Sequence, residues 1–178
     1  MLFVFCESIK SENDSLKAKH SVNLSASLSG DFYFIGVYNP SYRLYFKRNI
    51  FSIGPNFVNS YLSLSDIYQT DFQFSGFSIG YRHNLTKIKK RINFLVAIDG
   101  IYNYLNDKII SQRDHVLELF GGLEAEAYLS KKIYLNGSLG IGLCYRKSRF
   151  DFPINYNEAN GYYCGGVGLL KLGIGYKF

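Results

Sequence analysis

The 178-residue sequence predicts an all-β protein that forms a single antiparallel up-and-down β-barrel of about eight strands. Three observations predict this fold. The chain contains 16 Tyr and 15 Phe but no Trp, and aromatic side chains favour strands. From His20 onward, apolar and polar residues alternate, which is the period of strands with two different faces. Short basic turns also alternate with longer polar connections, which places turns at one end of the barrel and loops at the other.

Residues 1–19 precede the predicted barrel domain, which spans residues 20–178. Residues 1–6 are apolar, and the segment that follows is polar and rich in Lys, Glu and Ser. A secretory signal has a basic segment, about 7–15 apolar residues and a cleavage site of small residues. Only the end of such an apolar segment is present. We therefore interpret residues 1–19 as either the remnant of a signal peptide or an N-terminal tail.

The alternation defines about eight strands, each longer than the usual ~5–6 residues. The apolar members of the eight segments begin, in order, at Val22, Phe32, Phe51, Phe77, Ile92, Leu117, Leu135 and Tyr162. Phe72 and Phe74 lie out of phase with Phe77. This change of phase predicts a β-bulge near Ser75 and Gly76, since a bulge inserts one extra residue into a strand.

The connections between these segments alternate in length and charge. Short basic turns are expected at residues 46–49, 85–91 and 130–132. Longer polar loops are expected at residues 59–71, 106–114 and 148–160, whereas the first hairpin, near Gly30 and Asp31, is short. The alternation is typical of a barrel whose turns and loops lie at opposite ends.

Charge, hydropathy and cysteine spacing exclude several other classes of protein. No apolar run reaches about 18 residues, so no transmembrane helix is expected. The net charge is +6 and the basic residues are scattered apart from a run at residues 87–91, so we expect no nucleic-acid partner. Cys6, Cys144 and Cys164 lack the spacing of a zinc site or a disulfide framework, and we expect no metal and no cofactor. Cys144 and Cys164 fall on opposite faces, which predicts free thiols.

The last strand carries a resemblance to a known family. Apolar or aromatic residues occupy every second position up to Phe178: Leu172, Ile174, Tyr176 and Phe178. This strand resembles the closing strand of bacterial outer-membrane β-barrels, and the hairpins over residues 20–178 resemble small eight-stranded barrels of the OmpA/OmpX type. The resemblance implies a transmembrane β-barrel in the bacterial outer membrane, in contact with lipid and lipopolysaccharide and monomeric. It also implies that these four residues form a signal for the barrel-assembly machinery.

In such a barrel the apolar face contacts lipid and the polar face lines the lumen. Tyrosines suit the lipid headgroup level because the ring is apolar and the hydroxyl is polar. The tyrosines expected there are Tyr42, Tyr102, Tyr104, Tyr145, Tyr162 and Tyr176. The polar parity predicts a lumen charge network of Arg43, Asp99, Glu118, Glu124, Glu126, Arg146 and Lys171. Because buried charges must be paired, we expect these side chains to plug a narrow lumen.

Two alternatives to a structural or loop-mediated interaction role remain. A soluble lipocalin-like barrel would bind a small apolar ligand and face the opposite way, but the Gly-x-Trp start of lipocalins is absent because the chain has no Trp. An outer-membrane lipid A-modifying enzyme would need an Arg-His pair and a serine two residues after the histidine. Arg82 and His83 match the pair, but Leu85 occupies the serine position. We therefore expect no catalytic residues and no enzyme.

Overall fold

The computed structural model describes residues 19–30, 33–63, 67–86, 91–107, 112–150 and 159–178. These residues form eight strands: β1 (Lys19–Gly30), β2 (Tyr33–Phe46), β3 (Asn49–Ser63), β4 (Ile67–Asn84), β5 (Ile92–Asp107), β6 (Gln112–Tyr128), β7 (Ile133–Phe150) and β8 (Ala159–Lys177). Each strand pairs antiparallel with the next, and β8 pairs with β1 to close the barrel. The predicted all-β, eight-stranded, up-and-down barrel is thus confirmed. Residues 1–18, which contain almost all of the predicted tail or signal-peptide remnant, lie outside the described residues.

The strands are tilted because each is shifted along its neighbour. A path of paired residues that starts at Val22 and passes through every strand arrives at Gly166 on β8. Val22 itself pairs with Tyr176, ten residues further along β8. This shear links strand tilt to barrel diameter, and eight strands leave an interior that side chains can fill.

The predicted bulge lies in β4. Asn56 of β3 pairs with Gly76, whereas Phe57 pairs with Phe74, so Ser75 is the extra residue. Because of this insertion, Phe74 and Phe77 both point outward, with exposed fractions of 53% and 56%. Their ring centroids lie 5.3 Å apart in an edge-to-face arrangement, which is a favoured geometry for aromatic pairs.

The apolar residues of the alternating pattern face outward and the polar residues face the lumen. On β1, for example, Val22 and Leu24 are half-exposed, whereas Ser21, Asn23 and Ser25 are almost completely buried. This facing is opposite to that of a lipocalin-like barrel, whose apolar residues line the interior.

The expected long loops are shorter than predicted because the strands continue through them. β3 and β4 cover residues 59–63 and 67–71, and β5 and β6 leave only residues 108–111 between them. Backbone pairing does not require an apolar face, so the ladder persists where the side chains become polar. We call the end of the barrel with these connections the loop end, and the opposite end, with residues 47–48, 85–91 and 129–132, the turn end.

Candidate functional site: a charged lumen inside an apolar surface

A cluster of paired charges crosses the middle of the lumen. One carboxylate oxygen of Glu124, on β6, accepts a hydrogen bond from Arg43 Nη1 of β2 at 2.8 Å. The other oxygen accepts a hydrogen bond from Arg82 Nε of β4 at 2.9 Å. All three side chains are almost completely buried. Because β2 and β6 lie on opposite walls of an eight-stranded barrel, the contact between Arg43 and Glu124 spans the whole lumen.

Three more charged groups complete this central charge cluster. Glu126 Oε1 accepts a second bond from Arg43 Nη1 at 2.9 Å, and Asp99 accepts two bonds from Arg82 Nη2 at 2.7 and 3.0 Å. Lys171 Nζ lies 3.9 Å from Asp99 Oδ1. The cluster therefore comprises Arg43, Arg82, Lys171, Asp99, Glu124 and Glu126. Its three cations balance its three carboxylates, and this pairing offsets much of the cost of removing them from water.

A glycine on the lumen wall makes room for the Arg82 side chain. Gly80 lies on the same face of β4, two residues before Arg82. A Cβ atom at position 80 would lie 2.5 Å from Asp99 Oδ1 and 2.6 Å from Ser52 Oγ, both closer than a side-chain carbon can approach. The absence of a side chain at Gly80 thus permits the ion pair between Arg82 and Asp99.

The turn end of the lumen is closed by a lysine among tyrosines. Lys177 Nζ lies 3.9 Å from the ring centroid of Tyr45, 4.3 Å from that of Tyr128 and 5.4 Å from that of Tyr134. The hydroxyls of Tyr45 and Tyr128 donate to Glu126 at 3.1 and 2.8 Å. These rings and the ammonium group fill the space between the central charge cluster and the turn end. The cation is attracted to the faces of the rings.

The half of the lumen nearer the loop end is largely apolar, a feature that the alternation of apolar and polar residues does not predict. Its inward side chains form one hydrophobic cluster: Val37, Val58, Ile101, Leu105, Val116, Phe120, Cys144, Val167 and Leu169. A cavity of about 10 Å³ beside Phe120, Asp99 and Ser138 has room for one water molecule. This cluster leaves little space for an aqueous path along the barrel axis.

The seven residues of the expected lumen network all lie on the inward face, but the structure does not bring them all together. Five belong to the central charge cluster. Glu118 lies apart from the cluster and accepts a bond from Ser29 Oγ at 3.1 Å, and Arg146 pairs with Asp114 near the loop end. Sequence reasoning missed Arg82 and Asp114. Both occupy the inward parity of their strands, so the alternation was the signal that could have found them.

The Arg-His pair of the enzyme alternative does not form a single site. Arg82 is fully buried in the lumen, whereas His83 lies on the other face of β4 and its Nδ1 contacts Asn49 Oδ1 at 2.9 Å. Adjacent residues of a strand point to opposite faces, so the two side chains cannot act on one substrate atom. In the part of the chain that the structure describes, no group of three or more His, Cys, Asp or Glu could hold a metal ion.

The two described cysteines also lie on opposite faces. Cys144 is buried in the lumen and Cys164 is exposed on the outer surface. The predicted placement on opposite faces is confirmed, and side chains that point to opposite faces of the wall cannot reach each other to form a disulfide.

The outer surface carries a continuous apolar band. On β7, Leu139, Ile141 and Leu143 have exposed fractions of 68%, 81% and 63%. Outward apolar or small residues continue from Leu117 on β6 to Leu129 directly after it, a height of about 30 Å at a strand tilt of ~40°. The described residues contain no helix that could cross a membrane, a finding that does not concern crossing by strands.

Aromatic side chains border this band at both ends, as predicted. The exposed aromatic residues on the outward parity nearer the loop end are Tyr38, Phe74, Phe77, Tyr102, Tyr104, Tyr145 and Tyr162. Those nearer the turn end are Tyr42, Phe46, Phe51, Phe94, Tyr176 and Phe178. We call these two sets the loop-side girdle and the turn-side girdle. Such paired girdles are typical of barrels that cross a bilayer.

The comparisons with known proteins agree with this architecture. No protein-family model matches the sequence, and a search of curated proteins finds no match. Among solved structures, the chain is similar to the N-terminal β-barrel domain of Pseudomonas aeruginosa OprF, with a TM-score of 0.53 and 13% identity over 91% of this chain and 100% of that chain.

Two further structures match with lower TM-scores. A major outer membrane protein from Thermus thermophilus gives a TM-score of 0.41 and 16% identity over 91% of this chain and 100% of that chain. The attachment invasion locus protein Ail of Yersinia pestis gives 0.32 and 13% identity over 90% of this chain and 97% of that chain. The likeness to the OprF domain shows the fold, that of a small closed β-barrel.

Proposed function

We propose that this protein is a small β-barrel protein of the bacterial outer membrane, with a closed lumen and a structural role or an interaction role through its loop end. The observation that carries the proposal is the apolar band, which surrounds a lumen that holds paired charges. A barrel in water would need the opposite arrangement, because monomeric soluble proteins rarely expose apolar patches larger than a few hundred Å².

The contents of the lumen support a role without transport or ligand storage. The central charge cluster crosses the barrel, the Lys177–tyrosine contacts fill the turn end, and the apolar cluster fills the other half. A lipocalin-like protein would keep a cavity for its ligand in this volume. These side chains occupy that volume, so the structure favours a plugged barrel over a soluble carrier.

The outer face of β8 supports a further part of the proposal, which concerns assembly. Leu172, Ile174, Tyr176 and Phe178 are all exposed on this face, with exposed fractions between 41% and 64%. The Phe178 amide donates to the His20 carbonyl at 3.1 Å. The rings of His20 and Phe178 are stacked, with their centroids 6.2 Å apart. The four side chains are thus free to contact the assembly machinery while the backbone closes the barrel against β1.

The facing of the band is tested by placing a charge on it. We compare the wild type, L139R in the middle of the band and H115R at its loop-side border, each refolded from urea with phosphatidylcholine vesicles. An arginine at the bilayer midplane costs about 2–4 kcal/mol and one near the interface about 0–1 kcal/mol. We expect wild type and H115R to give folded, heat-modifiable bands on a gel, and L139R to give a much smaller folded fraction.

A water-soluble barrel gives the opposite result. If the wild type refolds to a monodisperse protein without lipid or detergent, or if L139R inserts into vesicles as well as H115R does, the proposal is wrong.

A further inference from the structure

The connections at the turn end of the barrel are basic. Its three connections, residues 47–48, 85–91 and 129–132, contain eight Lys or Arg residues and no Asp or Glu. These eight charges exceed the net charge of +6 of the whole chain. The described and exposed members are Lys47, Arg48, Arg91, Lys131 and Lys132. We call this set the turn-end basic ring.

The barrel wall that the structure describes does not neutralise this ring. Among the described ranges, no carboxylate forms an ion pair with any of the five side chains. Glu126, which contacts the tyrosines at the turn end of the lumen, is buried and already bonded to Arg43 and two tyrosines. Unpaired surface cations of one sign produce a positive potential that attracts anions.

The ring lies at the level of the turn-side girdle. Lys132 Nζ is 5.6 Å from the ring centroid of Tyr176, and Lys47 Nζ is 6.0 Å from that of Phe46. Exposed aromatic rings of a membrane barrel lie at the lipid headgroups. The turns at residues 47–48 and 129–132 are too short to carry their charges far from that level. In a bilayer, the cations therefore lie beside the phosphates of the lipids.

The arrangement of the ring distinguishes lipid from other anionic partners. The connections β2–β3, β4–β5 and β6–β7 are spaced around the rim of the closed barrel, so the cations face outward in several directions. Lipids surround the barrel and can contact every member of the ring. A polymer such as peptidoglycan would approach the end of the barrel and contact part of it.

We infer that the turn-end basic ring binds the phosphate groups of anionic phospholipids in the leaflet on the turn side of the barrel. This inference rests on the proposed function, because it requires the apolar band to be in a bilayer. The binding is electrostatic and exchangeable, so it should weaken as salt shortens the range of the interaction. One cation near an anionic surface favours lipid contact by roughly fivefold.

The test measures lipid selectivity with matched charge variants. Wild type, the turn-end variant R48Q/K131Q/K132Q and the loop-end variant R113Q/K147Q/R149Q each go into phosphatidylcholine bilayers with a trace of spin-labelled lipid. Each variant replaces three exposed basic residues. Electron paramagnetic resonance then compares the association of spin-labelled phosphatidylglycerol with that of spin-labelled phosphatidylcholine.

We expect the wild type and the loop-end variant to prefer phosphatidylglycerol by roughly twofold to fivefold when averaged over all contacting lipids. The turn-end variant should lose at least half of that preference, and the preference should fall as salt increases. No preference in the wild type, or an equal loss in the loop-end variant, overturns the inference.

Two other outcomes are separable. Co-sedimentation with purified peptidoglycan sacculi that depends on the turn-end charges, without lipid selectivity, also overturns the inference and assigns the ring to a polymer. Failure of the wild type to insert into phosphatidylcholine bilayers refutes the proposed function itself, because insertion does not depend on the basic ring.

Discussion

Replacing Arg43 by methionine removes one cation from the central charge cluster and keeps most of the aliphatic side chain. Arg43 bonds Glu124 at 2.8 Å and Glu126 at 2.9 Å, and all three side chains are at most 1% exposed. R43M leaves three carboxylates that face two cations, Arg82 and Lys171. One buried negative charge of the cluster then lacks a counter-charge within it.

The structure sets the expected size of this effect. Removing one partner of a buried ion pair costs about 3–5 kcal/mol, since the remaining charge stays out of water. Here Glu124 keeps its bond to Arg82, and Glu126 keeps the hydroxyls of Tyr45 and Tyr128. We therefore expect R43M to lower the free energy of unfolding by about 3 kcal/mol, near the lower limit of that range.

Urea unfolding of the vesicle-inserted protein, followed by circular dichroism, measures this change as a shift in midpoint at constant slope. The double variant R43M/E126Q removes one carboxylate as well, and we expect it to recover roughly 1–2 kcal/mol relative to R43M, because neighbouring charges are coupled. K131M at the exposed turn end is the control and should change stability by less than about 0.5 kcal/mol.

A loss below about 1 kcal/mol in R43M, or a double variant no more stable than R43M, would show that the cluster is hydrated and that its charges do not depend on one another. The assignment of a dry, plugged lumen would then be wrong.

The other predictions concern conduction, thiols, packing and closure of the barrel. Planar-bilayer recordings of the purified wild type should show no steady single-channel currents, and reproducible conductance would mean an open lumen. A non-reducing peptide map should contain no Cys144–Cys164 disulfide, and in the folded protein a small maleimide should label Cys164 much faster than Cys144. G173A should destabilise the barrel by roughly 1–3 kcal/mol, because a Cβ would lie 2.9 Å from the carbonyl of Leu24, whereas G121A, which meets no atom within 4 Å, should be neutral in the same urea assay. F178D should reduce the folded fraction in vesicles. Unchanged folding would show that the Phe178 side chain does not contribute to the closure of β8 on β1.

The facing of the strands and the bulge could be predicted from sequence because both depend on a local period of two. Val22 and Ser21 differ in polarity, so their faces are defined without knowledge of their partners. The same reasoning placed Ser75 at a change of phase. These properties belong to single strands or hairpins.

The polar parity places Arg43 and Glu124 in one network of lumen charges, but the individual partners could not be predicted. Which charge meets which across the lumen depends on the shear of the closed barrel, as the separate pairing of Arg146 with Asp114 shows. Arg82 was assigned no role in the lumen because its neighbour His83 suggested a different function. Ile101 and Leu105 are inward but apolar, so near the loop end polarity no longer distinguishes the two faces of β5.

The space left by Gly80 means that positions 80 and 82 of β4 should evolve together. A side chain at position 80 and a guanidinium at position 82 exclude one another, because both would occupy the volume beside Asp99 and Ser52. Replacing Gly80 alone creates a steric clash with Asp99 and Ser52. Replacing Arg82 alone leaves Asp99 without its arginine partner. Homologous chains should therefore change the two positions together, with a shorter residue at 82 wherever 80 is larger than glycine. A homologue with a bulky residue at 80 and an arginine at 82 would need a different register between β4 and β5.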